Sequence, residues 1–264
     1  MKNFKLGIAL IAFLFLIFKV NATQYSIVFD NYSYFYASAP SFSNVLNGYS
    51  IVFWFKTTTP SGIMFDNQLV NTTGYNAGNT AYDKFFGWYA GNLTFGVWNG
   101  SEVYISSSSS YADGKWHFAS GVVNASGGYL FVDGVLVGQN TGVNSSNAQN
   151  VSGYVMVGGG AQQGGSSEQW GFAGPEFNNT FLGSVTNVQI YNTALTFKQI
   201  SNLYSNGIAS QALSTVAGWW LAPGSSLNDL NFGTVDDESG NGNNGFIATV
   251  NTQPFNTSII QSIP

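Results

Sequence analysis

No cysteine and no arginine occur in the 264 residues, and only 7% of them are charged, against ~25% in an ordinary soluble domain. Without cysteine there is no disulfide framework and no thiol chemistry, so the fold must stand on its core alone. Without arginine, and with lysine scarce, the electrostatic footprint of a nucleic-acid or anionic-membrane binder is missing. The apolar run over 6–18 holds 13 uncharged residues, short of the ~20 that span a bilayer. Lys2 and Lys5 precede it and Val20-Asn21-Ala22 follows as a small-residue cleavage pattern, which predicts a secretory signal peptide over 1–22.

Loss of Lys2, Lys5 and Lys19 with that segment takes the 7 cations down to 4 against 12 acids, a formal charge of −8. The expectation is an acidic chain, extracellular or held at a cell surface, with 23–264 as a single domain large enough for a full core. So few ionisable groups also imply a stability that changes little between neutral and mildly acid pH.

What is abundant is glycine, tyrosine and phenylalanine, at 32, 14 and 22 residues. Apolar residues recur with period 2, most densely over 113–138. There Trp116, Phe118 and Val122 fall on one face of an extended segment, and Ala119 and Val123 on the other. A strand apolar on both faces is one covered on both faces. Asp133-Gly134 then separates two further alternating runs and spells a two-residue hairpin, because both positions want positive φ. The same reading gives strands over 24–30, 32–37, 49–56, 63–65, 84–90, 92–98, 102–106, 154–157 and 181–191. The polar stretches 66–83 and 139–152 and the glycine-rich 158–176 are expected as loops. Thr196 and Gln199 form a capping box ahead of Phe197, Ile200, Leu203 and Tyr204, and Asn206-Gly207 stops the run. That predicts one short helix near 197–205, lying against the edge of the sandwich.

An Asp-Gly-Lys-Trp-His strand followed by a Leu-Phe-Val-Asp-Gly-Val-Leu-Val-Gly hairpin resembles the laminin-G-like, concanavalin A-like lectin/glucanase family. The strand at 49–56 with its central Trp54, and the strand at 181–191 with its Asn-Thr-Ala-Leu exit, resemble it too. The resemblance implies an all-β, two-sheet antiparallel jelly-roll sandwich. In the family's usual order, a Trp-bearing strand and an Asp-x-Ser-Gly-Asn-x-Asn-x-Gly turn come first; here they stand at 217–250. The expectation is a permuted single domain, since a lone strand and turn could not bury a core of their own.

Asp237, Ser239, Asn241 and Asn243 put an oxygen-bearing side chain at every second position, with Asp236 beside them. Alternate oxygens on a glycine-curled backbone suit calcium, and calcium sites are common in the resembling families. The alternative is that Asn and Gly supply left-handed turn conformations while the carboxylates cap the turn. Trp170, Tyr75, Tyr82 and Trp98 lie in or beside expected loops, where a flat ring could stack on a sugar or simply pack down on the sheet. Acceptor sequons stand at Asn31, Asn71, Asn92, Asn99, Asn124, Asn144, Asn150, Asn178 and Asn256, mostly at turns, where glycosylation could reach them.

Catalysis finds little support. The resemblance implies that a retaining glucanase of this fold class would place two carboxylates on one strand face, yet Glu102, Glu168, Glu176 and Glu238 are far apart. His117, the only histidine, reads as a sheet residue. A non-catalytic module for glycan recognition or adhesion follows, its partner a carbohydrate or a surface glycoprotein, with a calcium-braced loop. The alternative from another class is a self-associating structural component of an envelope layer, filament or virion coat.

Overall fold

The computed structural model describes residues 24–30, 33–39, 48–69, 71, 82–149, 151–160, 180–208, 210–221, 233–249 and 260–263. In chain order these form β1 (Gln24–Asp30), β2 (Ser33–Ser38), β3 (Tyr49–Lys56), β4 (Ile63–Gln68), β5 (Tyr82–Tyr89), β6 (Asn92–Trp98), β7 (Glu102–Ser106), β8 (Trp116–Asn124), β9 (Gly127–Val132) and β10 (Val135–Asn140). There follow β11 (Tyr154–Val157), β12 (Leu182–Tyr191), α1 (Phe197–Ser205), β13 (Val216–Trp220), β14 (Thr234–Val235), β15 (Gly245–Thr249) and β16 (Ile260–Ile263).

The strands pair into two antiparallel sheets, the expected jelly-roll sandwich. Sheet A runs β10-β9-β8-β3-β12-β1-β16, with β13 also on β12; sheet B runs β14-β15-β2-β11-β4-β5-β6-β7. β12 is long enough to take β1 along Leu182–Val185 and β13 along Val188–Tyr191, while β15 pairs with β2. The segment that stands first in the family's usual order thus contributes to both sheets. At the β9–β10 turn Asp133 and Gly134 hold φ of 51° and 77°, the two positive values that such a hairpin needs.

The inner faces meet over Ile51, Phe53, Phe55, Phe86, Trp88, Phe95, Leu130 and Val155, all buried. Phe86 stacks on Phe95 at 4.8 Å and meets Phe53 edge-on at 5.0 Å. Gly121 of β8 makes room for them: a Cβ there would lie 2.7 Å from Phe86 and 2.9 Å from Phe95.

The helix lies not at an edge but on the outer face of sheet A. Val52, Trp54, Phe118, Val122 and Phe131 point outward there and need a cover, which Ile200 and Leu203 supply. Each such buried side chain contributes roughly 1.5–3 kcal/mol. Thr196 and Gln199 form the expected capping box, and Tyr204 stacks on Trp54 at 5.7 Å.

One other expectation changes. The stretch 66–83 is not loop throughout: β4 continues to Gln68 and β5 begins at Tyr82. Asp66, Asn67, Gln68, Asp83 and Lys84 are all fully buried, and polar side chains in strands carry no periodic apolar signal by which to find them.

Candidate functional site

Side chains alternate across a strand, so the inward positions of sheet B fix the outward ones. Phe86 and Trp88, Phe95 and Val97, and Ile105 join the core. Tyr89 of β5, Trp98 of β6, and Glu102 and Tyr104 of β7 therefore point away from it. Tyr89 stacks on Tyr104 at 4.2 Å with 13° between the rings, and Phe85 braces Tyr104 edge-on. The Tyr104 hydroxyl donates to Glu102 Oε2 at 2.7 Å, and Glu102 stands directly across from Trp98. Tyr89 is 39% exposed, and Trp98, Glu102 and Tyr104 are half-buried. This is a platform of flat rings with a carboxylate at its rim.

A second platform occupies the same face further along. Phe35 and Ala37 of β2, Val155 of β11 and Ile247 of β15 face inward, which turns Tyr34, Tyr36, Tyr154 and Phe246 outward. Tyr36 is the hub, 5.6 Å from Phe246, 6.1 Å from Tyr154 and 6.2 Å from Tyr34. Phe246 is 44% exposed. A pyranose has an apolar C–H face and a hydroxyl rim, and rings with nearby polar acceptors match both.

Of the sequence-derived candidates, Trp98 falls on the first platform. Tyr82 opens β5 opposite Gln68, its side chain outside the described residues, as are Tyr75 and Trp170 altogether. Tyr34, Tyr36, Tyr89, Tyr104, Tyr154 and Phe246 were missed. Their signal was present in part: each alternates with a core position of its strand, but alternation does not say which face meets water.

Around 236–244 the chain folds back on β13. Asp237 Oδ1 accepts N–H bonds from Trp219 and Ser239 at 2.9 and 3.0 Å, and Oδ2 accepts the backbone N–H and Nδ2 of Asn243 at 2.9 and 2.8 Å. Burial alone would push its acidity down, but the bonds from Ser239, Trp219 and Asn243 win and hold its pKa below the usual carboxylate range. Asn241 and Asn243 both donate to the Ala217 carbonyl, and Ser239 Oγ accepts from Asn241. Asp236 is exposed and accepts from Asn244. Calcium wants carboxylate lone pairs free to converge, whereas both oxygens of Asp237 are already met by N–H donors. The arrangement fits a capped turn and does not fit a calcium cage, and among the described residues no cluster of three His, Asp or Glu is placed to hold a metal.

Three sequons also serve as turn caps: Asn99, Asn124 and Asn144 each accept from the N–H two residues on through Oδ1. Asn92 opens β6, and the Asn71 carbonyl accepts from Tyr34. Asn31, Asn150, Asn178 and Asn256 lie outside the described residues.

The remaining ionisable groups are structural in their contacts. His117 is held at Nδ1 by Asp133 at 2.8 Å and at Nε2 by Asp113 at 3.1 Å. The bond to Asp133 leads in raising its pKa, against partial burial. Lys84 bonds Asp83 and the Gln149 carbonyl, with its ammonium 4.6 Å from the centre of the Tyr49 ring. Burial pushes Asp83 up and Lys84 down, each opposed by the other's charge. Asp66, on the outward side of β4, is fully buried, and neither carboxyl oxygen makes a well-formed hydrogen bond. Its desolvation, opposed by the Asn67 N–H and reinforced by Asp83 nearby, raises its pKa well above the usual carboxylate range.

A sequence model of the concanavalin A-like lectin/glucanases superfamily matches residues 29–201. No curated protein sequence matches the chain. Among solved structures it is similar to a heptameric SAP-like pentraxin from Limulus polyphemus, with TM-score 0.53 and 16% identity over 88% of this chain and 98% of that one. It is also similar to a candidate carbohydrate-binding protein from Bacteroides ovatus, with TM-score 0.53 and 10% identity, covering 92% of this chain and 60% of the other. At such identities the likeness is one of fold.

Proposed function

The chain belongs to the concanavalin A-like lectin/glucanases superfamily, and from that premise we propose that it is a non-catalytic, extracellular module that binds carbohydrate, either free or carried on a surface glycoprotein. The observation that supports this most is the outer face of sheet B, where two sets of rings stand outward on a rigid scaffold: Tyr89, Trp98 and Tyr104 with Glu102, and Tyr36 with Tyr154 and Phe246. Stacking of sugar faces on such rings, with hydroxyls reaching Glu102 and the tyrosine hydroxyls, is the binding mode. No described strand carries two carboxylates on one face, and His117 is engaged by two aspartates; both observations support a role without turnover. Because hydrogen bonds already brace the 236–244 turn, binding is expected to survive a chelator.

The test is a broad glycan panel probed with the mature chain, with calcium and again with chelator. Binding that drops at least about tenfold in Trp98→Ala or Tyr36→Ala, with melting temperature retained, supports the proposal; a loss of this size is what a buried aromatic contact is worth. Binding that neither variant weakens, or hydrolysis of any panel member, counts against it. A self-associating structural role is the second reading, favoured by the exposure of Val135 at 63% and Phe197 at 56% beside the edge strand β10. Large assemblies on sedimentation, with no glycan bound, would select it.

A further inference from the structure

The placement of every cationic side chain bears on which glycans that face can accept. After the leader, the chain holds Lys56, Lys84, Lys115 and Lys198, one histidine and no arginine. Lys56 ends β3 and is exposed on sheet A. Lys115 immediately precedes β8, also of sheet A, and pairs with Asp113 at 3.0 Å. Lys198 lies on α1, which covers the outer face of sheet A. His117 is in β8, engaged by Asp133 and Asp113. Lys84 alone belongs to sheet B, and it is fully buried against Asp83.

The exposed lysines therefore belong to the sheet A side of the sandwich and the aromatic platforms to the other. Two packed sheets are separated by ~10 Å, while charge is screened over ~8 Å at physiological ionic strength. A lysine on the far side contributes almost nothing at the platforms. The other usual anion receptor is the N-terminus of a helix. Among the described residues the only helix starts at Thr196, on the sheet A side, and its capping box closes it. Glu102 stands partly exposed beside the outward rings, while Asp66 and Asp83 of the same sheet are fully buried.

We infer that this face selects neutral, hydroxyl-rich glycans and discriminates against sialylated, sulfated or uronic acid-bearing ones, because its rings are rimmed by a carboxylate and the accessible lysines among the described residues lie across the sandwich. This rests on the carbohydrate-binding proposal above. Neutral sugar hydroxyls donate to Glu102; a sugar carboxylate or sulfate brings a second negative charge to the same rim, with no guanidinium or ammonium to receive it. Two like charges a few ångströms apart at a protein surface repel enough to lower affinity about tenfold or more. The penalty shrinks as salt is added.

The experiment compares a neutral oligosaccharide that binds in the panel with its sulfated and sialylated counterparts, in chelator, at low and at near-physiological salt. The expected result is a neutral-over-anionic preference of about tenfold or more at low salt, narrowing as salt rises. Glu102→Gln should narrow the ratio of the two affinities and Glu102→Lys narrow it further or reverse it. Equal or tighter binding of the anionic probe by the native chain, or a ratio unmoved in Glu102→Lys while both probes still bind, overturns the inference and leaves carbohydrate binding standing. Anionic binding restored by added calcium overturns it as well, since a bridging cation would then do what no side chain does. If neither neutral nor anionic probes bind, the carbohydrate proposal falls, and this inference with it.

Discussion

Replacing Asp66 by asparagine should flatten the pH dependence of stability, and the sign of the effect is the reverse of the usual aspartate case. The Asp66 carboxyl is fully buried without a well-formed hydrogen bond, and desolvation outweighs the opposing Asn67 N–H and raises its pKa. In the unfolded chain it releases its proton near pH ~3.9. Above that pH the folded state holds one proton more than the unfolded state, so stability falls as pH rises until the folded pKa is reached. One proton of difference changes stability by about 1.4 kcal/mol per pH unit. For a chain of this size about 2–4 °C accompanies each kcal/mol, which makes the slope ~3–6 °C per pH unit. The neighbouring Asp83, whose pKa burial also raises, adds slope of the same sign to both proteins, so the difference between their slopes is what reports Asp66. The assay is thermal melting of the native chain and Asp66→Asn between pH ~4.5 and ~6, below the titration of a free histidine. Asparagine keeps the shape but has no proton to lose, so any constant cost of the buried amide drops out of the slope. Parallel curves for the two proteins would refute the reasoning. The low acid count led to an expectation of near indifference to pH; one desolvated carboxyl is enough to reverse it, since linkage depends on shifted groups and not on how many there are.

His117→Gln should remove a second pH effect of the same direction. The folded histidine pKa is raised by Asp133 and Asp113, so its contribution is complete below pH ~6.5 and disappears as pH rises through the folded value. Melting curves from mildly acid to mildly alkaline pH should be steeper for the native chain than for the variant, and equal slopes would exclude the effect. Asp237→Ala should lower unfolding free energy by about 2–4 kcal/mol in urea, because four N–H bonds to a carboxylate are lost together. A chelator should leave the native melting temperature unchanged, and a fall of several degrees would bring calcium back to this turn.

Much of the sandwich was legible because its strands are short and punctuated. Asp133-Gly134 gave the hairpin, Thr196 with Gln199 gave the helix start, and the doubly apolar 49–56 announced a strand covered on both faces. Periodicity could not choose the cover, however, and the helix sits over Trp54 and Phe131 rather than at an edge. The site was less legible for the same reason. Tyr36 and Tyr104 alternate with core residues as any strand aromatics do, and only the pairing of β2 with β15 and of β6 with β7 brings Phe246 beside the one and Trp98 beside the other. The buried Asp66 and Asp83 looked like loop because burial of a polar side chain is decided by tertiary packing that leaves no mark on local sequence. The oxygen spacing of 236–244 was read correctly as a pattern, but the same spacing serves a capped turn, and the N–H groups of Trp219 and Asn243 occupy the carboxylate.

The one-sided distribution of lysines has a practical side. Among the described residues, reagents that couple through lysine amines will find Lys56, Lys115 and Lys198 and will not reach the buried Lys84. A sensor chip, resin or fluorophore attached through these lysines takes hold of the molecule by its helix-covered side, and a layer held in that way would present the tyrosine-rich sheet to the solution.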